Sequence, residues 1–320
     1  MRILALVPGG IDDQILFFPT LDDLRVYYPT AEIDVIVEPR AKGAYRVCKS
    51  VDEVLTFDFK DRNGLADFGN LLGIIRDREY DVALSLAQRG SIELLLWMSG
   101  IPTRIGYEDN AGKWFLTKTV PLKTEQYAAY RYHDLLQGLE INSPCPDLAL
   151  SVPKQDIEWA EREQQRLGIA ESGYILIHGG STQQAQEKGT EQVYPVEKWR
   201  QILADIQQKQ PDLPIVMLKG SEDTQFAAAM LQSYPDLKIT SPGDIGKLAA
   251  MIAGANLMIS TDSAPMHLAA AVGTYMIALF GATEAKKRLP QSEHCVGIQS
   301  PTQRVADIKP EDVLQQIWRG

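Results

Sequence analysis

Short apolar runs alternate with longer amphipathic stretches along the whole chain. Residues 3–7 form the first run, closed by Pro8, Gly9 and Gly10. Residues 13–28 then carry Phe17, Leu21, Leu24 and Tyr28 at spacings of four, three and four, as one buried helix face requires. Pro29 disfavours helical backbone just before it and ends the element. Runs at 33–37, 54–55, 82–86 and 103–107 predict further strands with helical patterns between them, and 126–139 predicts a helix. The tone changes after Asn142, Ser143, Pro144, Cys145 and Pro146. Residues 151–171 read as a leading strand and a charged helix. A second series follows, with strands at 174–178, 215–218, 238–240, 257–260 and 275–279 and helices near 195–209, 222–234, 244–254 and 265–272.

Strands alternating with helices imply parallel sheets covered on both faces. Two such series predict an α/β protein of two Rossmann-like, doubly wound domains, residues 1–155 and 156–320. Ligands of these sheets bind beyond the carboxyl ends of the strands, so a central cleft between the domains is the expected site. The last helix, about 310–318, is amphipathic through Val313, Leu314 and Ile317 and should pack as a brace.

Bulk properties narrow the function. A length of 320 residues suits two domains. Apolar content of 45% and charged content of 23% are ordinary for a soluble globular protein. A net charge of −10 argues against a nucleic-acid partner, whose footprint is a basic face. Cys48, Cys145 and Cys295 lie far apart, form no metal-ligand spacing and read as buried free thiols of a reducing compartment. None of the four histidines is at i,i+4 to another, so no zinc helix is indicated. The chain opens on Met1-Arg2 and a strand, without a signal-peptide pattern. The longest uncharged stretch, 265–281, is interrupted by Gly273-Thr274 and suits a helix followed by a strand better than a membrane span. A cytoplasmic protein without a transmembrane segment is expected.

Two strand–helix junctions hold the candidate chemistry. In 257–283 an apolar run ends in small polar residues that open an Ala-rich helix, with Asp262 and Ser263 as N-cap types and Pro265 in the first turn. Such a helix start attracts anions through its free N–H groups and its dipole, and His267 lies one turn in. Every α/β protein has junctions of this kind, so a plain structural turn remains open. At the first junction Gly9 and Gly10 permit close approach of a ligand to the backbone. Asp12 and Asp13 either complement the helix dipole or act on a bound group. Glu222 reads equally as a first-turn acid or a ligand contact, and His178 as a core residue or a site residue. The basic cluster Arg40, Lys42, Arg46 and Lys49 is a solvated face or a contact for an acidic acceptor.

The run from Ser260 to Thr274, with Phe280-Gly-Ala-Thr283 after it, closely resembles the C-terminal signature of glycosyltransferase family 9. These are the bacterial heptosyltransferases of lipopolysaccharide core assembly, whose signature reads S-x-D-[ST]-[GA]-x-x-H-L-A-A-A-x-G-T, an apolar strand and F-G-x-T. Val51-Asp-Glu-Val, Tyr80-Asp-Val-Ala, Arg104-Ile-Gly-Tyr, Arg131-Tyr-His-Asp, Ile177-His-Gly-Gly-Ser and Tyr194-Pro-Val-Glu-Lys-Trp199 resemble further family landmarks in the correct order. The resemblance therefore covers about the whole length.

That resemblance implies the GT-B fold and an inverting transfer that needs no metal or other cofactor. A sugar, heptose from ADP-heptose in the usual case, would pass to a glycan or lipid-linked acceptor at the inner face of the cytoplasmic membrane. Family members carry I-G-D-x-x-x-x-x-P at the first junction, and counting back from Pro19 makes Asp13 the implied catalytic base. Ser181, Lys188, Gln192, Glu222, Asp262, Ser263, Ala264 and His267 fall on the donor side. Gly9, Gly10, Asp12, Arg40 and Lys42 fall on the acceptor side, and His133 in a structural position.

Two motif residues depart from the family. Asp12 replaces a glycine, and Gln192 replaces the lysine of K-x-W-P that meets the donor's phosphates. Glutamine donates hydrogen bonds but cannot neutralise a diphosphate, and Lys188, four residues earlier, is an alternative cation. A catalytically silent member that binds a nucleotide sugar or a partner, and a nucleotide-sugar epimerase of the same architecture, are the rival readings.

Overall fold

A computed structural model describes residues 1–59, 64–109, 111–180, 193–220 and 223–319. The chain divides into two compact units, Met1–Ser151 and Val152–Gly320.

The first unit runs β1 (Arg2–Val7), α1 (Ile11–Tyr27), β2 (Glu32–Val37), a 3₁₀ segment (Pro39–Val47), β3 (Glu53–Thr56), α2 (Leu65–Asp77), β4 (Val82–Ser85), α3 (Gly90–Ser99), β5 (Thr103–Tyr107), β6 (Lys118–Val120) and α4 (Ala128–His133). Its six strands lie in the order β3-β2-β1-β4-β5-β6, all parallel, with Ile3 opposite both Ile33 and Val82. β1 and β2 are apolar almost throughout because helices cover both faces of the sheet. Leu4, Leu6, Ile36 and Ala83 pack with Leu71 and Ile75 of α2 and Ile92, Leu95 and Leu96 of α3.

The second unit runs α5 (Lys154–Leu167), β7 (Ile175–His178), α6 (Val196–Lys209), β8 (Ile215–Leu218), α7 (Thr224–Ser233), β9 (Lys238–Thr240), α8 (Ile245–Ala253), β10 (Leu257–Thr261), α9 (Ala264–Val272), β11 (Met276–Phe280), α10 (Ala285–Arg288), β12 (Cys295–Gln299) and α11 (Pro310–Ile317). Its strand order, β12-β11-β10-β7-β8-β9, is again fully parallel and repeats the order of the first sheet. Its core gathers around Trp199 of α6, against which the Tyr194 ring stands edge-on at 5.4 Å between centroids. α11 packs on α6, where the Trp318 indole N–H donates to Asp205 at 2.8 Å. The expected brace is therefore a helix of the second unit.

Several local expectations need correction. The segment 126–139 is not one α-helix, since α4 gives way to 3₁₀ turns over Asp134–Leu139. That winding brings Gly138 so close to β5 that a Cβ would stand 2.6 Å from Ile105. The leading strand expected near 151 is absent: the Ser151 N–H goes to the Val47 carbonyl at 2.8 Å, and Pro153 caps α5. α1 begins two residues earlier than its periodicity suggests, and β6 and β12 are edge strands that the apolar pattern did not mark. The three cysteines are free but half-buried rather than buried. Desolvation pushes the thiols of Cys48 and Cys145 up to about 12, which leaves them as inert thiols at neutral pH. Among the described residues no helix is long and apolar enough to cross a membrane.

In both sheets the strand order reverses direction at one place, between β1 and β4 and between β7 and β10. In open α/β sheets such a switch point is where ligands characteristically bind, beyond the carboxyl ends of the strands.

Candidate active site

At the first switch point the chain leaves β1 through Gly9, whose φ of 124° lies in the region that disfavours side chains. A Cβ there would come within 2.3 Å of an Asp13 carboxylate oxygen. Asp13 sits in the first turn of α1. One of its oxygens accepts the Gly10 N–H at 3.0 Å, and the other accepts the Tyr132 hydroxyl at 2.9 Å. Gln14 locks the same turn, donating to the Val7 carbonyl at 2.9 Å and accepting from the Tyr45 hydroxyl at 2.9 Å. The carboxylate of Asp13 is thus held in one orientation, as a base aimed at a substrate hydroxyl requires. Asp12 beside it is half-buried.

Tyr132 escaped the sequence reading as a site residue. It lies 119 positions from Asp13, and its only signal was the Arg131-Tyr-His-Asp run. The Arg131 guanidinium stands 5.1 Å from the Tyr132 ring centroid and backs it. His133 has the structural part expected of it, with Nε2 2.9 Å from the buried Asp23 carboxylate of α1. The Ser143 hydroxyl also donates to Asp23. Arg40 and Lys42 are exposed on the 3₁₀ segment after β2, as are Arg46 and Lys49 around them.

The second switch point is polar and tightly packed. Ser263 is the N-cap of α9, but its hydroxyl does not cap the helix. It donates instead to the Thr261 carbonyl at 3.0 Å and lies 3.2 Å from His178 Nδ1 at the end of β7. Ser260 approaches the same nitrogen at 3.5 Å. The first turn of α9 therefore has no side-chain cap from Ser263; Pro265 carries no N–H, and the Met266 N–H donates to the Ser263 carbonyl at 3.0 Å. Burial holds the His178 imidazole below its ordinary range, opposed by the Asp223 charge, so the ring is a neutral hydrogen-bonding partner at pH 7. Gly179 passes so close to α7 that a Cβ would meet the Phe226 ring at 2.3 Å.

Asp262, 8% exposed, ends the turn. Its carboxylate lies 3.6 Å from the Nε of Arg288 in α10, a residue that the sequence reading did not single out. His267 is wholly buried in α9. Ser181, Lys188, Gln192 and Glu222 lie outside the described residues. Within the second unit the structure thus gathers Asp262, Ser263, Ala264 and His267 at one helix start and adds His178 and Arg288 to them. In the first unit it gathers Gly9, Gly10, Asp12 and Asp13 and adds Tyr132.

The family model of glycosyltransferase family 9 (heptosyltransferase) matches residues 70–318. The chain belongs to that family. Among curated proteins it is 27% identical to the photosynthetic NDH subunit of subcomplex B 1 of Arabidopsis thaliana, a match covering 100% of this chain and 74% of that protein. It is 23% identical to lipopolysaccharide heptosyltransferase 3 of Escherichia coli, over 85% of this chain and 81% of the other. Among solved structures, the ADP-heptose lipopolysaccharide heptosyltransferase II of E. coli superposes with a TM-score of 0.80 at 18% identity, covering 99% of this chain and 97% of that one. The fold of this family 9 member is accordingly GT-B, with two parallel six-stranded sheets.

Proposed function

We propose that this family 9 member is an inverting glycosyltransferase that carries heptose from ADP-heptose to a hydroxyl of a glycan or lipid-linked acceptor. The observation that carries the reading is the Asp13 carboxylate, fixed at a switch point by the Gly10 N–H and the Tyr132 hydroxyl. In this reading Asp13 takes the acceptor's proton as the oxygen attacks the anomeric carbon. The C–O bond to the diphosphate breaks on the opposite face, so configuration inverts. A positioned base contributes roughly 10²–10⁴ in rate. The remaining acceleration comes from alignment and from stabilising the departing diphosphate. Backbone N–H groups at the start of α9 supply that stabilisation without a metal. The relatives named for ADP-heptose and for lipopolysaccharide support heptose as the sugar and a lipid-linked acceptor at the inner membrane face.

One observation favours a second reading. The relative at 27% identity is named as a subunit of a photosynthetic NDH subcomplex, not as a transferase. With glutamine at 192 and aspartate at 12, a member that binds a nucleotide sugar or a protein partner without turnover is the alternative.

Incubation with ADP-heptose, with and without a lipopolysaccharide-core acceptor and without added metal, separates these readings. Product release with slow acceptor-free hydrolysis of the donor supports the transferase. Donor binding without either product overturns it in favour of the silent member, and an isomeric nucleotide sugar as product overturns it in favour of an epimerase.

A further inference from the structure

α3 is a surface helix without a charged outer face. Its one charged residue, Glu93, is wholly buried and accepts the Ser85 hydroxyl at 2.8 Å. Beyond Ser91 its outward positions are Leu94, Trp97 and Met98, which are 37%, 54% and 42% exposed, while Ile92, Leu95 and Leu96 fill the core behind them. A helix apolar on every side belongs in an interior, so this one presents a face made to be covered. The crossover from β5 to β6 extends the same surface. Gly112 lies so close to α3 that a Cβ would stand 2.7 Å from the Glu93 Cβ. The one-turn 3₁₀ segment after it (Lys113–Phe115) brings the Phe115 ring to 5.9 Å from the Trp97 ring between centroids. Trp114, in the middle of that turn, is 85% exposed. Two of the chain's five tryptophans thus stand in solvent on adjoining elements.

The charge around these indoles runs against that of the chain, whose net value is −10. Residues 94–107 and 111–124 hold Arg104, Lys113, Lys118 and Lys123 but no aspartate or glutamate, with Glu108 and Asp109 between the two runs. Lys118 and Lys123 pair with Glu140 and Asp134 at 3.7 and 3.0 Å. Among the described residues Lys113 and Arg76 meet no carboxylate. The Lys113 ammonium lies 5.8 Å from the Trp114 ring centroid, and Arg76 of α2 donates to the Met98 carbonyl at 2.7 Å. The Arg104 guanidinium donates to the Phe115 carbonyl at 2.8 Å and to the Ile101 carbonyl, which ties the 3₁₀ segment to the end of α3. An indole settles at the boundary of a bilayer, ring toward the acyl chains and N–H toward water. A lysine beside it keeps its ammonium among the headgroups. Exposed apolar aromatics flanked by unpaired cations are the combination that an anionic lipid surface selects. A protein partner would call for a rim of hydrogen-bonding groups, and beyond Ser91 the outer side of α3 is bare of them.

We propose that Leu94, Trp97, Met98 and Trp114 form a docking surface that enters the headgroup layer of an anionic lipid bilayer, with Lys113 and Arg76 meeting the lipid phosphates. The indoles supply the attachment, and the cations supply the preference for lipid charge. This deepens the reading of a lipid-linked acceptor and rests on it for its purpose: docking would hold the unit that carries Asp13 at the surface where such an acceptor lies.

Co-sedimentation of the full chain with vesicles, in the absence of donor and acceptor, tests this. Vesicles of phosphatidylglycerol and phosphatidylcholine in equal parts are expected to bind the wild-type chain at least about tenfold more strongly than phosphatidylcholine alone. Trp97→Gln/Trp114→Gln should lower that binding at least about tenfold, and Lys113→Gln roughly fivefold. Trp114→Gln alone alters a side chain that lies almost wholly in solvent, so it should weaken binding with an unchanged melting temperature. Wild-type protein that leaves the phosphatidylglycerol vesicles unbound overturns the proposal. Equal binding to both kinds of vesicle does so too, as does undiminished binding of the double tryptophan variant. A wild-type dimer that Trp114→Gln separates, without vesicle binding, makes this face a contact between copies and overturns it as well. Transfer to a soluble acceptor is read without any lipid surface, so its failure and the failure of docking are separate results.

Discussion

The two sheets share one strand order, yet their switch points have opposite electrostatic character. After β1, the helix start is met by the protein's own anion, because Asp13 folds back to accept the Gly10 N–H. After β10, the N-cap hydroxyl turns away to Thr261 and His178, and no protein carboxylate caps the helix start. One junction therefore presents a fixed carboxylate, and the other a helix start without a side-chain cap. Topology sets the two switch points alike; three or four residues after each strand make their polar surroundings differ.

The sharpest way to break this contrast is at Asp13. Asp13→Asn should lower transfer by roughly 10²–10⁴ while nucleotide affinity, measured by calorimetry, stays at the wild-type value. A parallel loss of nucleotide binding would erase the division of labour.

Ala264→Glu makes the second junction imitate the first. A carboxylate in the first turn of α9 should weaken nucleoside-diphosphate binding at least about tenfold by occupying the anion site, while its interaction with the helix dipole is favourable by about 0.3–1 kcal/mol. Unchanged affinity would show that the diphosphate does not use this helix. Tyr132→Phe removes one of the hydrogen bonds to Asp13, and a bond to a charged group is worth about 1.5 kcal/mol, or a fall in kcat of about tenfold. The donor KM should not move. An unaltered kcat would assign Tyr132 to packing alone.

The smallest effect concerns His178. Its pKa in the folded protein lies below the ordinary 6.5 because burial disfavours the imidazolium. As pH falls the unfolded chain takes up the proton first, so the stability His178 contributes is intact above about pH 6.5 and is lost as pH drops through the lower folded value. His178→Gln should therefore show a flatter dependence of melting temperature on pH below 6.5 than the wild type. Identical slopes would mean that the imidazole is not held neutral by its surroundings.

Much of the fold was legible because it rests on local periodicity. The strand at 215–218 lies where its apolar run stands and is buried throughout, since a strand covered on both faces must be apolar on both. The edge strands β6 and β12 carry mostly half-exposed or exposed residues, so hydrophobicity did not mark them. The long helix expected at 126–139 instead gives way to 3₁₀ turns over Asp134–Leu139, where Gly138 packs against Ile105, remote in sequence.

The candidate site divides in the same way. Asp13, Asp262 and Ser263 stand within a few residues of the strand ends that carry them, so fixed spacing made them visible. Tyr132 reaches Asp13 across 119 positions, and Arg288 reaches Asp262 from a four-residue helix beyond the next strand. Local sequence by itself determined the α/β alternation, the two series and the two junctions, because strand and helix periods and turn residues act over a few positions. Only the tertiary structure decided which side chains complete each junction and which way the Ser263 hydroxyl turns, because those depend on groups that packing, not spacing, brings together.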